Sequence, residues 1–118
     1  MPLRALGVDR PLAEIKADLF RSLAHPVRVR VLELLVDGPR PVSELLVELD
    51  VEASRLSQHL AVLRQNGVVT AVREGNAVRY SLAQPAVADL LAAARSVLVE
   101  SLGRTRSTLT DLEQATRP

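Results

Sequence analysis

Between residues 54 and 65, small polar and cationic side chains, Ser54, Arg55, Ser57, Gln58 and Arg64, are interleaved with Leu56, Leu60 and Leu63. The leucines fall at i, i+4 and i+7, the spacing that places them on one face of an α-helix. With about 100° of rotation per residue, Ser54, Gln58, Ala61 and Gln65 lie on the opposite face, flanked by Arg55 on one side and by Ser57 and Arg64 on the other. An amide side chain pairs with adenine edges, a guanidinium with guanine or phosphate, and a hydroxyl with either. A helix of about 10–12 Å diameter fits a major groove of about 12 Å. A solvated helix face has the same composition, so residue types alone leave both readings open.

A second cationic group follows. Arg73 and Arg79 flank Glu74-Gly75-Asn76, where a cation on each side of a turn can straddle a phosphate or probe a minor groove, with Glu74 acting against it. The formal net charge is only +1, but it is unevenly spread: residues 53–82 hold four basic side chains and one acid, residues 25–52 three and six. This local surplus suits a polyanion better than the total does. Phe20 and Tyr80 are the only aromatics, which disfavours single-strand binding by base stacking, and Tyr80 reads as a packing residue.

Other chemistry is poorly provided for. There is no cysteine, so neither a disulfide framework nor a thiolate metal site is available. The two histidines are His25, which precedes Pro26 and reads as a helix-start residue, and His59. Ser57 and His59 lie about 200° apart around one helix and cannot form a nucleophile–base pair, and no glycine-rich phosphate loop is present, so an enzyme is not expected. No apolar run approaches the ~20 residues of a membrane span, and the charged N-terminus lacks a signal-peptide centre. A cytoplasmic protein is expected.

The elements that must position these residues follow from periodicity. Residues 11–24 open on proline and place Leu12, Ile15 and Leu19 at helical spacing; Val27 to Asp37 forms a second helix. Residues 42–66 read as two short helices joined by a tight turn, a helix-turn-helix. Residues 68–82 contain two valine-rich runs around Glu74-Gly75-Asn76, a two-stranded β-hairpin. From 86 to 114 the helical period returns, with Leu90, Leu91, Ala94, Val97, Leu98, Leu102, Leu109 and Leu112 in a three-four repeat that Gly103 could bend or end. The expected fold is mainly α (α+β), a winged helix-turn-helix filling 1–118 as one domain. The stripe on 86–114 exceeds what three small helices and a hairpin need. With Leu12, Ile15 and Leu19 it is expected to form a dimer interface through Leu90, Leu91, Ala94, Val97, Leu98 and Leu102.

Two strings, SLAHPVRVRVLELL at 22–35 and SRLSQHLAVLRQNGVVTAVREGNAVRYSL at 54–82, resemble the ArsR family of bacterial winged-helix regulators. The resemblance implies a homodimeric repressor of a palindromic operator. It places Ser54, Arg55, Ser57, Gln58 and His59 toward DNA, and the wing from Arg73 through Asn76 to Arg79; Arg64, on the flank of the same helix by its spacing, is expected to contact DNA with them. Where relatives often cap the reader helix with serine or threonine, this chain has Glu52. Many relatives bind metal through Cys-x-Cys on the third helix, which is ELLVEL here. Others use Asp-x-His with a later histidine pair, for which Asp89 would be followed by Leu91, Leu102 and Thr105. Neither set is retained, so no cofactor is expected and the effector is not identified; a different histidine–carboxylate site for nickel or zinc is the remaining, disfavoured metal reading. A winged-helix protein-interaction module without operator binding is the alternative function.

Overall fold

The computed structural model of the protein describes residues 10–116. The sequence readings of the first nine residues, and the ends of the expected 1–118 span, lie outside them. The order is α1 (Leu12–Leu23), α2 (Pro26–Leu35), β1 (Arg40–Pro41), α3 (Val42–Leu49), α4 (Ala53–Gln65), β2 (Val69–Glu74), β3 (Ala77–Leu82) and α5 (Pro85–Thr116). A helix-turn-helix followed by a hairpin and flanked by terminal helices is the winged-helix arrangement.

The core is built by α2, α3, α4 and the inner face of the sheet. Val31, Leu32 and Leu35 from α2 meet Leu45 and Leu49 from α3 and Leu56, Leu60 and Leu63 from α4, with Val68, Val69 and Tyr80 closing the sheet side. Tyr80 is therefore a packing residue. The hairpin is joined by a third strand that the sequence did not disclose: β1 pairs antiparallel with β3, giving the order β1-β3-β2. Two residues are too few to show a period, and a proline is tolerated there because β1 is an edge strand.

Local chemistry sets the boundaries. His25 caps α2, its Nδ1 accepting from the Val27 N–H at 3.1 Å with Pro26 at the first helical position. Glu52 occupies the cap position of α4 and makes no side-chain capping bond. The other end of α4 is closed firmly: the Val68 N–H donates to the Leu63 carbonyl and the Gly67 N–H to the Arg64 carbonyl, with Gly67 at φ +70°. These are the two bonds of a Schellman cap, and buried Leu63 and Val68 supply its apolar contact. Gly103 does not end α5, which runs 32 residues, about 48 Å at 1.5 Å per residue.

Replacing Gly67 with alanine should lower stability by about 1–2 kcal/mol, because an L side chain is strained in the left-handed region. No atom stands within 4 Å of the added Cβ, so the loss should come from backbone strain and not from a clash. Urea unfolding of the two proteins measures it.

Candidate nucleic-acid interface

The α3–α4 turn fixes the reader face. Asp50 closes α3 in the left-handed region at φ 52°, its N–H bonded to the Leu46 carbonyl at 3.0 Å, and only Val51 and Glu52 separate it from α4. Helix α4 then buries Leu56, Leu60 and Leu63 in the core and leaves Ser54, Arg55, Ser57, Gln58, Arg64 and Gln65 exposed. The two faces expected from spacing are both present on one helix. The exposed face carries hydroxyl, amide and guanidinium groups that can meet base edges or phosphates.

His59 departs from its expected place toward DNA. It is 9% exposed, and its ring lies 4.2 Å from that of His25, measured between centroids, at the junction of α1 and α2. One turn from Arg55 and Leu56, and next to Leu60, it falls on the flank of α4 that packs against α2. Burial, reinforced by His25, Arg28 and Arg55, holds its pKa below the ordinary histidine value.

The wing needs a second correction. Its tip is the two-residue turn Gly75-Asn76, with Gly75 at φ +61° and Glu74 paired with Ala77. Arg73 therefore stands opposite Val78, and Arg79 opposite Val72. Facing residues share a side of the sheet and alternate along each strand, so Arg73 and Arg79 project from opposite faces and cannot straddle one phosphate. Arg79 is 43% exposed and its Nε lies 3.4 Å from Glu74 Oε2, so part of its charge is already met. Arg73 and Asn76 are exposed.

The terminal helices divide the expected interface set. Leu19 and Leu91 pack against the core of their own chain. Ile15 and Leu90 line a groove of about 440 Å³ between α1, α5 and the end of α4, beside Leu23, Gly67 and Val87. Leu12, Ala94, Val97, Leu98 and Leu102 are exposed, the last three at 59–63%, and so is Phe20, which the sequence reading did not single out.

The chain's residues do not fit the family's metal sites. Leu45 and Leu49 of ELLVEL belong to the core, and among the described residues no group of three or more His, Cys, Asp or Glu side chains is placed to hold an ion. The two imidazoles stand together, but His25 Nδ1 already accepts from Val27 and His59 Nδ1 faces a guanidinium.

A core-anchored reader helix, a hairpin wing and flanking terminal helices define a winged helix-turn-helix transcription regulator. Residues 25–71 match the family described as "Bacterial regulatory protein, arsR family". The HTH-type transcriptional regulator Rv0081 of Mycobacterium tuberculosis is 52% identical over 105 residues, covering 88% of this chain and 92% of the relative. Its crystal structure superposes with a TM-score of 0.76 over 82% of this chain and 98% of that one. The biofilm growth-associated repressor of Agrobacterium fabrum is 38% identical over 79% of this chain and 77% of its own. The homodimeric winged helix-turn-helix DNA-binding domain of Mb0332 from Mycobacterium bovis, solved by NMR, is 31% identical with a TM-score of 0.73, over 79% of this chain and 86% of that domain. The chain belongs to the arsR family of bacterial regulatory proteins, and it is a DNA-binding transcriptional regulator.

Arg55→Ala and Gln58→Ala should each weaken binding to a preferred duplex by about 1–3 kcal/mol, the worth of a bidentate base contact, with fold unchanged. Unaltered affinity in both variants would remove these residues from the reader face. Arg73→Ala should weaken preferred and unrelated duplexes alike and make the salt dependence shallower, whereas Arg79→Ala should change it less because Glu74 already faces that side chain. Equal slopes for the two variants would show that the pairing with Glu74 does not persist on DNA.

Proposed function

We propose that the protein acts in the cytoplasm as a homodimer that represses transcription by occupying a palindromic operator. In this reading Ser54, Arg55, Ser57 and Gln58 meet the major groove, Arg64 meets the backbone, and Arg73, Asn76 and Arg79 bring the wing to the flanking duplex. The observation that carries it is the two-faced α4: three leucines fully engaged in the core hold a polar, cationic face outward with little freedom to turn. Repression and dimerisation are supported by relatives, one called a repressor and one solved as a homodimer. No metal enters the reading.

The dimer face is assigned to Leu12, Ile15, Leu19, Leu90, Leu91, Ala94, Val97, Leu98 and Leu102, of which Leu19 and Leu91 also serve the core. Leu98 and Leu102 lie one turn apart on α5 with Val97 beside Leu98, and all three stay mostly exposed in the single chain, an apolar strip of the kind that a partner covers. A two-fold axis through this strip would set two reader helices on successive major grooves about 34–36 Å apart.

Selection of tight-binding duplexes from a random pool tests the function. Enriched sequences should contain an inverted repeat with half-site centres about 10–10.5 base pairs apart, or a multiple of that. Failure to enrich any sequence, with association that is insensitive to salt, would favour an interaction module over an operator-binding protein.

Leu98→Asp should convert a dimer into a folded monomer and remove operator binding at the same concentration. The charge would be stranded at the interface at a cost of several kcal/mol, while the 59% exposure of Leu98 leaves the protomer's core intact. Sedimentation at micromolar concentration decides it; a wild-type monomer there would contradict the assignment.

A further inference from the structure

Arg28 has no part in the interface described so far, yet it joins three helices. It lies in the first turn of α2, and its Nε donates to the Ser22 carbonyl at 2.7 Å while one terminal nitrogen donates to the Arg21 carbonyl at 3.2 Å. These carbonyls belong to the last turn of α1, where helical partners run out and a cation is favoured. The other terminal nitrogen reaches Nδ1 of His59 on α4 at 3.3 Å. A guanidinium has donors and no acceptor, so the contact requires a bare Nδ1: His59 must be neutral, with its proton on Nε2. The His25 ring lies against His59, tilted by 40°, and has its own Nδ1 engaged by Val27.

We propose that Arg28 is a positioning residue for DNA binding: through a neutral His59, one guanidinium fixes the reader helix α4 against the end of α1. The inference rests on the operator-binding reading above. Because α1 carries part of the proposed dimer face, the angle between dimer axis and reader helix passes through this side chain. His59 then serves recognition from inside the protein and not by touching phosphate.

The latch has a sign. The titratable and charged groups facing His59 are His25 at the α2 cap, Arg28 on α2 and Arg55 on α4. Protonation of the ring would place a cation against two guanidinium groups and remove the acceptor that Arg28 uses. The folded-state pKa lies below the ordinary value of 6.5, so the latch is complete at neutral pH and is lost as pH falls below 6.5 toward that lower value. A duplex that requires the latched reader helix binds the neutral form better, and by linkage it pushes His59 titration lower still.

The test compares wild type, Arg28→Lys, Arg28→Leu and His59→Gln from about pH 8 to about pH 5.5, a range that spans imidazole titration. Dissociation constants are measured for the selected duplex and for an unrelated duplex of equal length, with circular dichroism and sedimentation at each pH. Wild type should lose about tenfold in affinity for the selected duplex on acidification, with no matching loss for the unrelated one. His59→Gln, whose amide oxygen accepts from Arg28 without titrating, should flatten that profile. Arg28→Lys should weaken the selected duplex already at neutral pH while remaining a folded dimer, since an ammonium cannot span all three acceptors. Tighter wild-type binding in acid that His59→Gln abolishes would place His59 on a phosphate and overturn the proposal, and so would identical profiles for wild type and His59→Gln. Absence of binding to any duplex would instead refute the operator reading. The latch is then decided without DNA by NMR titration of the His59 ring, which Arg28→Leu must move upward; an unmoved titration would refute it.

Discussion

Helix α4 has to be a core element and a reading head at once, and the rest of the molecule is arranged around that constraint. Leu56, Leu60 and Leu63 are packed among α2, α3 and the sheet, so turning the helix to change its outer face would expose three leucines. At about 1.5–3 kcal/mol for each fully buried leucine, that rotation is out of reach of thermal motion. The polar face is thereby presented in one orientation before any duplex arrives. Pre-organisation of this kind spares the complex the cost of ordering a loop.

The ends of α4 are held by different means. Its C-terminal end is closed by backbone bonds through Gly67 and by the Leu63–Val68 contact, which leads the chain directly into β2. Its N-terminal end has no side-chain cap, since Glu52 makes none, and depends on the short α3–α4 turn; the His59 contact lies about two turns further in, at the middle of the helix. The reader residues Ser54, Arg55, Ser57 and Gln58 lie at this less firmly capped end. Arg28 meets α4 at His59, next to Gln58 and one turn from Arg55, and so ties the inner edge of this segment to α1.

Much of this was legible in the sequence. The i, i+4, i+7 leucines announced α4 and its buried face, and His25-Pro26 the start of α2, because each of these is a local rule read within a few residues. What was not legible depends on partners far apart in the chain. Arg28 and His59 are 31 residues apart, and nothing local in VRVRV distinguishes an inward arginine from a solvated one. Strand β1 exists only because β3 runs beside it. The opposed faces of Arg73 and Arg79 follow from register: taking Glu74-Gly75-Asn76 as the tip hid the fact that Glu74 pairs with Ala77 and that only two residues turn.

The absence of cysteine from the chain allows the central claim to be examined with one engineered thiol. Gln65→Cys lies on the exposed side of α4, away from the residues assigned to base contacts, and can carry a DNA-cleaving reagent without altering them. On a duplex selected by the wild-type protein, the account predicts cleavage at two loci in the major groove, related by two-fold symmetry and separated by about one helical turn or a multiple of it. A single locus, or cleavage confined to sequence outside the selected repeat, would contradict the claim that α4 reads the operator as a symmetric pair.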